Sequence, residues 1–281
     1  MNSRLTNLQG HVALVTGGRR GIGGAIAQRL AAQGAAVIIA AQALDDEGVD
    51  ETVASIRALG GRASAIAFDL ADGDARQEAV QYASREFGSV DILVNNAAYN
   101  NYASASAMPI DQQRRLFEIN FHGAVDLIQQ SLPAMLERRW GRIVNISSQT
   151  TEQAPIPYPG SATYVHGMVV YGATKCALER YTLGLAAELH GSGVHVNATY
   201  PHKVCVTEMN SQAAKQALRA HPDWAESVEM MAEAATALIT YPLTGLVRSS
   251  RAIMQLLQQP LHALDGVTAI GDATTLVTLD H

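Results

Sequence analysis

Six short apolar runs, each closed by small or polar residues, recur along the chain: HVALVTG (11–17), AAVIIAA (35–41), ASAIAFD (63–69), DILVNNA (91–97), GRIVNISS (141–148) and VHVNATYP (194–201). Between them lie longer segments with helical periodicity. In IGGAIAQRLAAQG (22–34), Ile22, Ile26, Ala27 and Leu30 fall on one face. Further helical stretches lie near 45–59, 74–87, 111–139 and 172–190. A strand apolar on both faces has to be covered on both, and a helix between successive strands lets them run parallel. The pattern predicts an α/β fold, a doubly wound parallel sheet of Rossmann type, with the C-terminal ends of its strands along one rim. Ligands bind at that rim, so the residues after each run carry the functional argument.

No internal repeat or long linker divides the chain, so one domain is expected over 1–281, with a nucleotide-binding half at about 8–100 and a catalytic and substrate-binding half at about 101–241. Residues 203–240, rich in Ala, Met and Glu, read as one or two mobile helices over the site. Within them Met230 and Met231, like Met209, either line an apolar pocket or fill the core. The tail, 242–281, mixes a helix-like stretch, RSSRAIMQLLQQ, with a β-prone end, TTLVTLD.

Composition narrows the function. With a net charge of −6 the chain lacks the basic excess of a nucleic-acid binder, and Arg138, Arg139 and Arg142 read as a solvated helix end. Two cysteines, Cys176 and Cys205, and nine scattered histidines show no metal-ligand spacing, so no metal is expected. Cys176 reads as a small packing residue. The start of the chain lacks the apolar core of a signal peptide, and no apolar run approaches the ~20 residues of a membrane span. A cytoplasmic protein with no membrane partner is the expectation.

TGGRRGIGG (16–24) follows the first run and opens the first helix. Gly17 permits a tight turn, Gly21 close approach of a phosphate, and Gly23 close packing of helix on strand; the helix start then faces a pyrophosphate. Strand–helix turns also carry glycine for backbone reasons alone, but this context is the one a dinucleotide site demands. The second run ends at Ala41 and Gln42, with no carboxylate for a ribose 2′-hydroxyl, while Arg19 and Arg20 offer charge-assisted bonds to a 2′-phosphate. NADP(H) is favoured; NAD(H), with Gln42 on the hydroxyl, is the other choice.

Three tyrosines stand in QTTEQAPIPYPGSATYVHGMVVYGATK (149–175), and only Tyr171 has a lysine four residues on; Tyr158 has Ala162 and Tyr164 has Met168. On a helix, Tyr171 and Lys175 share a face, and the ammonium is expected to lower the phenol pKa. Ser148, at the end of the preceding strand, is placed to polarise a substrate oxygen. The prolines and glycines of IPYPGSATYVHGM interrupt a helix, so this segment is expected to be a rim loop, either a tolerated insertion or a border of the substrate pocket.

Together TGGRRGIG, FDLAD (68–72), NNAA (95–98), FEINFHG (117–123), IVNISS and YGATK resemble the short-chain dehydrogenase/reductase family, over about residues 8–207. The resemblance implies Asn120, Ser148, Tyr171 and Lys175 as the catalytic set, with Asn120 holding a relay water and Lys175 the nicotinamide ribose. It implies Gly17, Arg19, Arg20, Gly21, Ile22, Gly23, Gln42, Asp69, Leu70, Asn96, Ala97, Ala98, Pro201, Val204 and Thr207 around the cofactor. Asp69 either contacts the adenine or caps the next helix. Tyr99, Tyr102, Tyr158, Tyr164, His166 and His202 are candidates to border the substrate. Three departures stand out: the spacing from Ser148 to Tyr171 is wider than the family's usual one, His202 replaces a glycine in YPHKVCVTEM, and the tail lacks the family's ending. The expected activity is NADP-preferring interconversion of a fairly apolar ketone and a secondary alcohol, with Tyr171 as general acid/base, in a homodimer or homotetramer. The alternatives are a nucleotide-binding sensor without turnover, or an isomerase or dehydratase using the cofactor transiently.

Overall fold

Strand β1 (Val12–Thr16) is buried along its whole length, as its apolar sequence requires. Its side chains divide by the two-residue period of a strand: Ala13 and Val15 enter one core with Ile26, Leu30, Val37 and Ile39, while Leu14 enters the other with Ile38, Leu93 and Ile143. A computed structural model describes residues 7–44, 47–152, 167–208, 210 and 212–276. In it, α1 (Gly21–Ala32), β2 (Ala36–Ala41), α2 (Glu47–Ala58), β3 (Arg62–Ala67), α3 (Gly73–Glu86) and β4 (Ile92–Asn95) complete the first half. Next come α4 (Ile110–Phe117), α5 (Gly123–Glu137), β5 (Gly141–Ile146), α6 (Val169–Glu188) and β6 (Val194–Tyr200).

These strands and β9 (Val247–Ser249) form one seven-stranded parallel sheet in the order β3-β2-β1-β4-β5-β6-β9. The chain reverses its direction of winding between β1 and β4, and that switch point opens a crevice at the strands' C-terminal ends. Gly17 and Asn96 stand at its two sides. The doubly wound parallel sheet is thus the architecture the apolar runs predict, with β9 as an edge strand too short to read from periodicity.

The last third differs from its expectation. Residues 203–240 form β7 (Val204–Cys205), α7 (Gln212–Ala220), β8 (Ala225–Glu226) and α8 (Val228–Thr240). Far from being a mobile cover, α8 is buried from Met230 to Thr240 and packs on α1, β5 and β6. Met230 and Met231, at 1% and 0% exposure, fill the core. Their all-round apolar neighbours make α8 a core helix rather than an amphipathic one. The tail continues as α9 (Ser250–Leu257) and a small antiparallel pair, β10 (Leu261–His262) with β11 (Ala269–Gly271). Tyr158, Tyr164, His166 and Met209 lie outside the described residues.

The helix expected over 111–139 is interrupted. Residues Glu118–His122 form a π-turn between α4 and α5. It sits where the helix crosses Leu70: a Cβ on Gly123 would lie 2.8 Å from Leu70 Cγ and 3.0 Å from its carbonyl oxygen. Arg76 fastens the turn, pairing with Glu118 at 3.0 Å and Asp126 at 2.5 Å and donating to Leu70 O at 2.7 Å. Single π-turns within helices often mark functional positions, and Asn120 occupies this one.

Candidate active site

The glycine loop runs from the end of β1 into α1. Gly17 and Gly21 adopt φ of +64° and +55°, a region that favours glycine. A Cβ on Gly23 would fall inside the van der Waals radius of the Gly17 carbonyl oxygen, so helix and loop meet through bare backbone. Thr16 and Asn96 lock the crevice. Asn96 Nδ2 donates to Thr16 O at 2.9 Å and Gly17 O at 3.3 Å, and Thr16 Oγ1 accepts from the N–H groups of Asn96 and Ala97, both at 3.0 Å.

The residues fit a dinucleotide phosphate. The N-terminus of α1 has no side-chain cap and no acidic residue in its first turn, so its positive dipole end is left for an anion. Arg19 and Arg20 immediately precede it, Arg20 as the N-cap residue. Burial and the adjacent Arg20 charge push the Arg19 pKa down, opposed by Glu208; mutual repulsion of two guanidiniums favours an anion between them. Glu208 reaches Arg20 at 3.7 Å from the segment after β7, and Thr207, whose N–H donates to Asn210 Oδ1 at 2.7 Å, faces Gly21. Gln42 is exposed at the end of β2, Ala98 after β4. The Asp69 carboxylate accepts from Ala71 N at 2.9 Å, and the cap of α3 is Asp72, so the capping alternative for Asp69 is removed. Pro201 and Val204 are partly buried beyond β6.

At the other side of the crevice, β5 delivers Ser148 and α6 delivers Tyr171 and Lys175. Ser148 begins a 3-10 turn, Gln149–Thr151, where its Oγ accepts from Thr150 N at 3.2 Å, and its hydroxyl bonds the Tyr171 phenol. Lys175 is 2% exposed; its ammonium donates to Ile146 O at 2.8 Å and lies 5.7 Å from the Tyr171 ring centroid. Here the electrostatics depart from expectation. Burial pushes the Tyr171 phenol up to about 12, assisted by Tyr102 and opposed by the Ser148 bond. Burial also brings Lys175 down to about 8. Low dielectric disfavours both charged forms, and the ammonium is aimed at a carbonyl rather than at the phenolic oxygen.

Asn120 is 1% exposed. Its Nδ2 donates to Tyr99 O at 2.9 Å and Thr174 Oγ1 at 3.1 Å, while Oδ1 accepts from Tyr99 N at 2.8 Å. The side chain thus ties the loop after β4 to α6, leaving one Oδ1 lone pair for a water. Tyr99 is held at the backbone, and Tyr102, 63% exposed, stands near Tyr171. His202 is exposed; its N–H reaches Ser250 Oγ at 3.2 Å and Glu226 Oε1 at 3.4 Å. Three residues escaped the sequence reading: Thr174, Gly172 and Glu179. A Cβ on Gly172 would collide with the Thr150 carbonyl, and the glycine directly after Tyr171 was the available signal. Cys176 is exposed rather than packed, because its helical position turns away from the face that carries Lys175.

The family model for short chain dehydrogenases matches residues 11–218. The chain belongs to the short-chain dehydrogenase/reductase family. It is 37% identical over 207 residues to the short-chain reductase protein NovJ of Streptomyces niveus, covering 74% of each chain. It is 32% identical to the ketoacyl reductase HetN of a Nostoc species, over 73% of this chain and 67% of the relative. A Burkholderia cenocepacia short chain dehydrogenase solved in complex with NADP superposes with a TM-score of 0.74 and 33% identity, over 86% of this chain and 97% of that one. The chain is thus an oxidoreductase of this family. Among the described residues no helix is long and apolar enough to cross a membrane.

Proposed function

We propose that the protein is an NADP-preferring reductase of a ketone, with Tyr171 as general acid. The observation that carries this reading is the phenol itself: partly buried, pushed up to about 12 by desolvation, and bonded by Ser148 on the helix face that also bears Lys175. A phenol protonated at neutral pH is a proton donor, which suits the reduction direction. Ser148 donates a hydrogen bond to the carbonyl oxygen and Tyr171 delivers its proton to the same atom. When bound, the cofactor supplies the hydride. Lys175 contributes a positive charge beneath the phenol as its proton leaves, and Asn120 holds Thr174 and the Tyr99 loop in register. Arg19 and Arg20 support the choice of NADP, as does the NADP complex of the Burkholderia relative. The ketoacyl reductase among the relatives supports an oxoacyl or similarly carbon-rich ketone, bordered by Tyr99 and Tyr102.

The test mixes purified protein with NADPH and a panel of ketones and follows loss of NADPH absorbance. Tyr171→Phe is expected to lower kcat by about 10²–10⁴-fold with cofactor binding retained. Full turnover in that variant removes Tyr171 from the mechanism, and tighter binding of NADH than NADPH overturns the cofactor preference.

A further inference from the structure

Resting on the reading that Ser148, Tyr171 and Lys175 do the chemistry, a fourth side chain acquires a role. Along α6, Tyr171, Lys175 and Glu179 follow one another at four-residue steps and share a face. The Glu179 carboxylate accepts from Ser147 Oγ at 2.6 Å, and Thr151 lies beside it. Ser147, 3% exposed, follows β5, and Thr151 ends the turn that Ser148 begins. Thr151 Oγ1 also reaches Ser148 O at 3.1 Å. One carboxylate therefore holds the residue directly before Ser148 from the helix that carries the phenol, while Thr151 closes the turn after it.

We propose that Glu179 is a positioning residue, whose carboxylate fixes the Ser148 segment against α6 and sets a negative charge one helical turn from the Lys175 ammonium. The charge on Glu179 raises the Lys175 pKa, against the burial that brings it to about 8. Among the described residues, the titratable groups facing Glu179 are Lys175 and Cys176 from its own helix, Glu152 from the end of the 3-10 turn, and Tyr200 from β6. Of these Lys175 alone is a cation. Burial, with the Glu152 charge, raises the Glu179 pKa above the usual carboxylate value, opposed by the Ser147 bond and the Lys175 charge. The two functions are separable, since glutamine keeps an acceptor for the Ser147 hydroxyl but loses the charge.

The chain has three lysines, Lys175, Lys203 and Lys215, so side-chain NMR of lysine-labelled protein resolves them, and the resonance missing in Lys175→Met assigns the first. Glu179→Gln is expected to lower the Lys175 titration midpoint by about one unit and to move the alkaline limb of the kcat profile the same way. Below the new midpoint kcat returns close to the wild-type value, with KM for the ketone changed less than about twofold. Glu179→Ala, which also frees the Ser148 segment, is expected to lose about 10–100-fold in kcat. An unmoved Lys175 midpoint in Glu179→Gln, or wild-type kcat in a folded Glu179→Ala, overturns the proposal. Should the alanine variant fail to fold, the glutamine variant decides alone. The NMR titration needs neither substrate nor cofactor. A wild type that turns over no ketone counts against the reaction; an unmoved lysine counts against Glu179.

Discussion

Lys175 shows what burial does to a single charged side chain. At 2% exposure with one carbonyl partner, Ile146 O, its pKa stands at about 8 instead of 10.5. A base whose folded pKa is depressed is charged in the unfolded state over a window where the folded state is neutral. Between about pH 8 and 10.5 the unfolded chain binds more protons, so stability rises with pH there, and the full cost is present below that window. Lys175→Met is therefore expected to abolish turnover while leaving the melting temperature unchanged or higher at pH 7. Its stability should lose the alkaline rise, as denaturant titration at several pH values will show. A marked fall in melting temperature would mean that the ammonium contributes net stability. The pair Tyr171–Lys175 was legible from spacing alone. Its protonation was not, because desolvation depends on what covers a group, and residues distant in sequence do the covering. Arg142 teaches the same lesson: expected on a solvated helix end, it lies buried in β5, its pKa lowered to about 10 by desolvation, with its guanidinium 4.5 Å above the Trp140 ring and donating to Ile239 O at 3.0 Å.

Among the elements, α6 and the turn after β5 meet through bare backbone at the site. Gly172 lets the helix touch the Thr150 carbonyl with no side chain between. Gly172→Ala is expected to cost about 1–3 kcal/mol through overpacking and to push the Ser148 turn away from Tyr171. Its signature is a fall in kcat of at least about tenfold with NADPH affinity kept, read from steady-state kinetics beside a fluorescence titration. Unaltered kcat would show that the contact relaxes without moving Ser148. Helix existence and the first six strands followed from periodicity, since each is written in consecutive residues. The π-turn at Glu118–His122 did not, because its cause is contact with Leu70 and Arg76, which belong to the preceding βα unit.

Across the whole molecule, the tail is bound by a buried ion cluster. Glu233 of α8, fully buried, pairs with Arg29 of α1 and, at 3.1 Å, with His262 of β10. Arg29 also donates to Ala263 O. Removing one partner of such a cluster leaves an uncompensated buried charge, so Glu233→Gln is expected to cost about 3–5 kcal/mol. Replacing Arg29 and Glu233 together by methionine should recover much of it, a comparison that chemical denaturation measures directly. If the single variant matches wild type, the tail is held by its apolar contacts instead.

The sequence by itself determined the sheet, its parallel winding, the nucleotide loop and the tyrosine–lysine pair, because each depends on local period or on spacing of a few residues. The tertiary structure decided the seventh strand, the burial of α8, the upward rather than downward push on the Tyr171 pKa and the place of Glu179 against Ser147. Those depend on surfaces that meet only when segments far apart in the chain exclude water from one another.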